Sequence, residues 1–191
     1  MIHVYPTQKK NSKQTHAAIL TRSNYSNYIL RLEYRWGLKK FKPRQEYVRD
    51  AGVMFHVNGE GVFWPDGIEC QIQEGDTGDL WIIGSQASTK VKKGTRTYDP
   101  NGILATLGET ERYNRFHREY SWEVEGWNQL EIEVKNDYAS FRVNGHLVNE
   151  AIDMKYLNKN QNEWKPLTAG KILLQAEGSE LYYRNILLKQ L

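Results

Sequence analysis

From Tyr28 to Trp36 the chain reads YILRLEYRW, with Tyr28, Leu30, Leu32 and Tyr34 on one parity and Arg31, Glu33 and Arg35 on the other. Side chains alternate faces along a strand, so a period of two describes a strip with one buried and one wet face. The period recurs. Val53, Phe55 and Val57 oppose Asp50, Met54 and His56, and Ile68, Cys70 and Ile72 oppose an unbroken polar row of Glu69, Gln71 and Gln73. Leu130, Ile132 and Val134 alternate with Gln129, Glu131 and Glu133, and Ala139, Phe141 and Val143 alternate with Ser140 and Arg142. No stretch carries a long amphipathic helix, and the best candidate for a helical turn is Met154–Leu157. The pattern confines the chain to an all-β fold.

Turn chemistry joins these strips into a meander. Asn136-Asp137 connects the strand at Gln129–Val134 to the next, and Asn144-Gly145 supplies the positive-φ pair of a two-residue hairpin before His146–Val148. Lys171–Gln175 and Leu181–Leu188 read as a last strand pair around Gly178-Ser179. Residues 85–120 have Gly, Pro, Asn and scattered charge with little periodicity, which predicts a long rim loop with room for a strand inside it. Residues 1–16 read as an N-terminal arm or partial edge strand, because residues 8–16 (QKKNSKQTH) are too polar for a core element. Short strands at regular spacing in 191 residues predict one domain over residues 1–191, a sandwich of two antiparallel sheets of jelly-roll type.

Composition excludes several classes of function. With 39% apolar and 12% aromatic residues the chain has the material for a core, and 26 basic against 23 acidic residues give a net charge of only +3. Nucleic acid is not implied, and Lys90, Lys92, Lys93 and Arg96 read as a solvated stretch. No apolar run approaches the roughly 18 residues of a membrane-spanning helix, and residues 1–20 lack the pattern of a secretory leader. Phosphate-binding Gly-rich loops, G-x-S-x-G elbows and H-E-x-x-H helices are absent. The single cysteine, Cys70, shares the parity of Ile68 and Ile72 and reads as a buried structural thiol.

The segment Trp64–Trp81, WPDGIECQIQEGDTGDLW, holds the best candidates for chemistry. Its polar row is either a solvated outer face or the floor of a concave sheet. On a floor, Glu69 supplies a carboxylate for proton transfer, Gln71 and Gln73 supply amides that donate and accept as sugar hydroxyls require, and Trp64 and Trp81 offer ring faces. His56 shares the parity of Asp50 and Met54 and joins Glu69 if their strands are neighbours; the alternative is a surface histidine. Arg35 is either part of a cross-strand charge ladder with Arg31 and Glu33 or a binding arginine. Gln175 and Glu177 share one face and add a second carboxylate to any groove there. Asp76 and Asp79, with the carbonyls of Gly75 to Gly78, offer oxygen ligands for a calcium ion, though without EF-hand spacing; no other metal or cofactor is indicated.

Several blocks resemble one family. RDAGVMFH at Arg49–His56, the Trp64–Trp81 segment, YSNYILRLEYRW at Tyr25–Trp36, GWN at Gly126–Asn128, the Asn144-Gly145 hairpin, GKILLQAEG at Gly170–Gly178 and YRNI at Tyr183–Ile186 are together similar to the 3-keto-disaccharide hydrolase domain family. The resemblance implies a concanavalin A-like, or laminin-G-like, jelly roll of mainly bacterial and often exported proteins, hence a periplasmic or extracellular location. It also implies a carbohydrate partner, a glycoside oxidised at C3 of its glucose ring. Under it, Glu69 acts as base or acid, His56 as its partner in proton transfer and Glu177 as a second carboxylate. Gln71 and Arg35 become hydroxyl or carbonyl ligands, and Asp50, Gln73, Gln175, Trp64 and Trp81 line the groove. A non-catalytic carbohydrate-binding module and a glycoside hydrolase of unoxidised sugars are the alternatives, and oligomeric state stays open. Family members usually carry a further N-terminal strand; either that strand is cut short here or residues 2–7 (IHVYPT) supply it.

Overall fold

A computed structural model describes residues 1–59 and 63–191, and among these residues there are strands and no helix. In chain order the strands are β1 (Ile2–Val4), β2 (Ala17–Leu20), β3 (Tyr28–Lys40), β4 (Asp50–Asn58), β5 (Asp66–Gln73), β6 (Leu80–Ile83), β7 (Ser85–Val91) and β8 (Ile103–Leu107). They continue as β9 (Tyr113–Phe116), β10 (Asn128–Lys135), β11 (Tyr138–Val143), β12 (His146–Asn158), β13 (Glu163–Pro166), β14 (Lys171–Ala176) and β15 (Ser179–Gln190). A nine-stranded sheet runs β1-β15-β3-β10-β11-β12-β7-β8 with β13 beside β12, and a six-stranded sheet runs β2-β14-β4-β5-β6-β9. All strand pairings are antiparallel, so the chain is a two-sheet jelly roll.

The apolar parities meet between the sheets. Leu32 and Tyr34 of β3, Val53 and Phe55 of β4, Ile68, Cys70 and Ile72 of β5, and Ile132, Val134 and Phe141 of β10 and β11 are all inaccessible to solvent. Each large side chain buried this way contributes about 1.5–3 kcal/mol, which fixes strand register, because a slip by one residue would turn the set outward. Asn144 and Gly145 both adopt positive φ, 51° and 85°, as the tight hairpin between β11 and β12 requires.

Three expectations are corrected. The stretch 85–120 is not a rim loop, since it holds β7, β8 and β9. Its polar residues hid the strands: Thr89 is buried with its hydroxyl on Asn149 Oδ1 at 3.3 Å, and Ser88 meets Thr106 at 2.8 Å, so polar side chains are satisfied within the fold rather than by solvent. Met154–Leu157 is not a helical turn but part of β12, where Asp153 at φ 54° shifts the register and breaks the period of two. Lys171–Gln175 and Leu181–Leu188 do not pair; the turn at Gly178 carries the chain from the six-stranded to the nine-stranded sheet. At the N-terminus, Ile2 lies opposite Tyr183 on the edge of β15, and Lys42 donates to Ser12 O at 3.0 Å, strapping the 8–16 segment along the body.

Candidate active site

The outer face of the six-stranded sheet collects the polar row of β5 and its neighbours. In cross-strand register, Met54 of β4 lies between Leu173 of β14 and Glu69 of β5, and Glu69 in turn neighbours Trp81 of β6. One rung along, Gly52 lies between Gln175 and Gln71, and Asp50 lies opposite Gln73. The resulting groove, about 410 Å³, is lined by Arg44, Asp50, Glu69, Gln71, Gln73 and Glu177 and closed by Trp64, Trp81, Ile83 and Tyr113. One end is polar. At the other, Met54, Val57, Ile83 and Leu173 form an apolar cluster against which Trp64 and Trp81 pack.

The acid groups of the floor are tied together. Asp50 Oδ1 accepts from Gln71 Nε2 at 2.8 Å, and its Oδ2 accepts from Gln73 Nε2 at 3.0 Å and Arg44 Nη2 at 2.5 Å. The same guanidinium reaches Glu177 Oε2 at 3.3 Å. Gln175 Nε2 donates to Glu69 Oε1 at 2.9 Å and lies 3.5 Å from Glu177 Oε1, while its own Oε1 is buried without a donor among the described residues. Three carboxyl groups thus share one guanidinium and three amides.

This environment raises all three carboxyls. Burial pushes Glu69 up to about 8; the Gln175 hydrogen bond opposes the shift, and the charges of Asp50 and Glu177 add to it. Burial and the Glu177 charge push Asp50 up to about 7 against the pull of Arg44, Gln73 and Arg115. Glu177 is raised by burial and held back by Arg44 and then Gln175. Two carboxyls raised to about 7 and about 8 can hold and release protons at ordinary pH.

Of the residues singled out in the sequence, Asp50, Trp64, Glu69, Gln71, Gln73, Trp81 and Glu177 meet in this groove, with Gln175 bonded to Glu69 beneath it. His56 does not join them. Its φ of 48° is left-handed and the β4–β5 register shifts beyond Phe55, so the ring turns away from the groove and meets the carbonyl of Asn136 in the other sheet at 2.8 Å. Burial lowers its pKa, against the opposing pull of the Asn136 hydrogen bond and the Asp137 charge. Arg35 is also elsewhere, since its parity is correct but its strand, β3, belongs to the nine-stranded sheet. Asp76 and Asp79 are both held by guanidinium groups: Arg118 Nη1 lies 2.8 Å from Asp76 and 3.0 Å from Asp79, and Arg115 pairs with both. Sequence reasoning missed Arg44, Ile83 and Tyr113. The signal for Arg44 was indirect, a demand for positive charge beside clustered acids.

Comparison with known proteins places the chain in a family. The profile of the 3-keto-alpha-glucoside-1,2-lyase-like domain matches residues 1–189. The chain belongs to that family. Solved structures similar to this 3-keto-alpha-glucoside-1,2-lyase-like domain include two candidate glycosyl hydrolases from Parabacteroides distasonis, each 18% identical. One covers 93% of this chain and 84% of its own at a TM-score of 0.58, the other 90% and 75% at 0.51. The carbohydrate binding module CBM66 from Bacillus subtilis is 11% identical, with 96% of this chain and 84% of that one covered at a TM-score of 0.55. At these identities the likeness is one of fold, and it agrees with the jelly roll seen here. No curated protein matches the sequence.

Proposed function

We propose that this domain cleaves the glycosidic bond of 3-keto-glucosides by elimination across C1 and C2, followed by addition of water. The observation that supports the reading is the buried pair of Glu69 and Asp50, raised to about 8 and about 7, on a floor whose amides and guanidinium suit sugar hydroxyls. A ketone at C3 acidifies the proton on C2. Asp50, the more acidic of the two and held by Arg44, Gln71 and Gln73, takes that proton in its ionised form. The C–H electron pair becomes the C1=C2 double bond, the C1–O bond breaks, and Glu69, protonated at neutral pH, gives its proton to the departing aglycone oxygen. Negative charge that builds on the C3 oxygen meets the amide donors of the floor and the Arg44 guanidinium. Water then adds to C1 of the enone, with its proton returning to Glu69 and the Asp50 proton returning to C2, so both side chains regain their starting states.

The test is incubation with 3-keto-sucrose, 3-keto-trehalose and their unoxidised parents, with and without a chelator. Aglycone release from the oxidised sugars alone, with exchange of the C2 hydrogen for solvent deuterium and a loss of about 100-fold or more in Glu69→Gln, is expected. Equal turnover of the parent sugars would instead make this an ordinary glycoside hydrolase. Binding without turnover would make it a carbohydrate-binding module, and sensitivity to the chelator would add a metal to the site.

A further inference from the structure

A second cavity, about 950 Å³, is lined by the Arg35–Lys39 part of β3 and by Tyr182 of β15 in the nine-stranded sheet, with Glu123–Gly126, Arg49 and Glu74 around it. Of its lining, Tyr182 of β15 lies opposite Arg35 of β3; beside them, outside the lining, His3 of β1 lies opposite Tyr182, and Trp127 stands just before β10. These groups stack in a row. His3 lies 4.1 Å from Tyr182, the Arg35 guanidinium lies 4.9 Å from Tyr182 and 5.1 Å from Trp127, and Arg184 covers Trp127 at 3.9 Å. The rings are therefore occupied in clamping Arg35, which fixes its plane and leaves its N–H edge as the group on offer.

The surrounding charges are already spent. Lys39 pairs with Glu180 at 3.0 Å and Arg49 with Glu74 at 2.6 Å. Glu123 accepts from Tyr34 at 2.7 Å, the indole of Trp36 at 2.9 Å and the Gly75 amide at 2.8 Å. Among the described residues, Arg35 has no acceptor and Glu125, exposed on the facing loop, has no donor, yet both line the cavity. An anion would gain Arg35 but face Glu125, and a cation would meet the reverse. Neighbouring hydroxyls use both, accepting from the guanidinium and donating to the carboxylate, while Trp36, Leu38 and Val124 supply apolar surface for C–H faces. The two linings come close in sequence: Arg49 and Glu74 line this cavity, and their chain neighbours Asp50 and Gln73, at the start of β4 and the end of β5, line the groove.

We propose that this cavity is a second saccharide site, which binds neutral pyranose units through Arg35 and Glu125 and takes no part in bond cleavage. The experiment is a titration of 15N-labelled protein with maltotriose and cellotriose, and separately with glucuronate and glucosamine, following the indole N–H signals of Trp36 and Trp127. A neutral trisaccharide is expected to shift both signals saturably with Kd near about 1 mM. Arg35→Ala and Glu125→Gln are each expected to weaken that binding about tenfold, as loss of a charged hydrogen-bond partner does. Glu125 is exposed, so its variant keeps the fold even if Arg35→Ala loosens the ring stack. Glu69→Gln should leave the titration unchanged, and Glu125→Gln should leave cleavage of 3-keto-disaccharides unchanged, which separates this site from the reaction proposed for the groove. No saturable shift with either trisaccharide, shifts indifferent to Glu125→Gln, or tighter binding of glucuronate or glucosamine would overturn it.

Discussion

A Cβ built on Gly52 would stand 1.9 Å from Oε1 of Glu69 and 2.9 Å from Nε2 of Gln175. The Glu69 side chain thus lies across β4 in the space that a missing side chain leaves, and reaches Gln175 on the far strand at 2.9 Å. Gly52→Ala is expected to keep the fold but displace the carboxylate by an ångström or so, lowering kcat on a 3-keto-disaccharide by about 100-fold. Comparison of kcat with the thermal midpoint checks this, since a loss of activity that merely tracks unfolding would refute it.

Burial makes Glu69 hold its proton up to about pH 8 in the native state, well above its usual range. Between the ordinary carboxylate value and about 8 the native chain therefore binds more protons than the unfolded chain, and this contribution to stability, full below the window, is lost as pH rises through it. Glutamine carries no such penalty. Glu69→Gln should overtake the wild type at alkaline pH by on the order of a few kcal/mol. Urea denaturation at acid and alkaline pH measures it, and a gap that does not widen toward alkaline pH contradicts it.

The same two carboxyls set the pH profile of the proposed reaction. Activity should rise as the pair loses its first proton near pH 7 and fall as it loses the second near pH 8, giving a narrow bell whose limbs belong to the pair. A profile flat across this interval would show that they do not transfer protons.

Arg44 is the guanidinium bonded to both Asp50 and Glu177. It holds their raised pKa values down, so Arg44→Met is expected to move the acidic limb of the profile upward and reduce activity most at low pH. An unmoved limb with uniformly lower activity would leave Arg44 a purely structural role.

Asp79 is inaccessible to solvent and is bonded to Arg115, Arg118 and His117 on the strand and turn beside it. Asp79→Ala leaves Arg115 and Arg118 only Asp76 as a carboxylate partner among the described residues and should cost about 3 kcal/mol of stability, read from chemical denaturation; an unchanged midpoint would refute it.

Strands that alternate cleanly, such as Tyr28–Trp36, could be read from the sequence because their packing follows from side-chain parity alone. Parity also gathers Asp50, Glu69, Gln71 and Gln73 on one face. It fails at His56 and Asp153, where one left-handed residue flips those that follow; His and Asp adopt positive φ more readily than most residues, but too rarely for either to mark the position in the sequence. It cannot say which sheet a strand joins, which is why Arg35 faces outward as expected yet lies far from Glu69. Arg44 belongs to an irregular connection before β4, where no period exists to place a side chain.

The place where β4 begins and β5 ends has a consequence for change over generations. Because Arg49 and Asp50, and likewise Glu74 and Gln73, are neighbours in sequence but look into different cavities, a single codon step alters one compartment while leaving the other's lining untouched. The two compartments can therefore drift independently although their linings meet at these adjacent pairs, and libraries that vary Arg49 with Glu74, or Asp50 with Gln73, would retune either one alone.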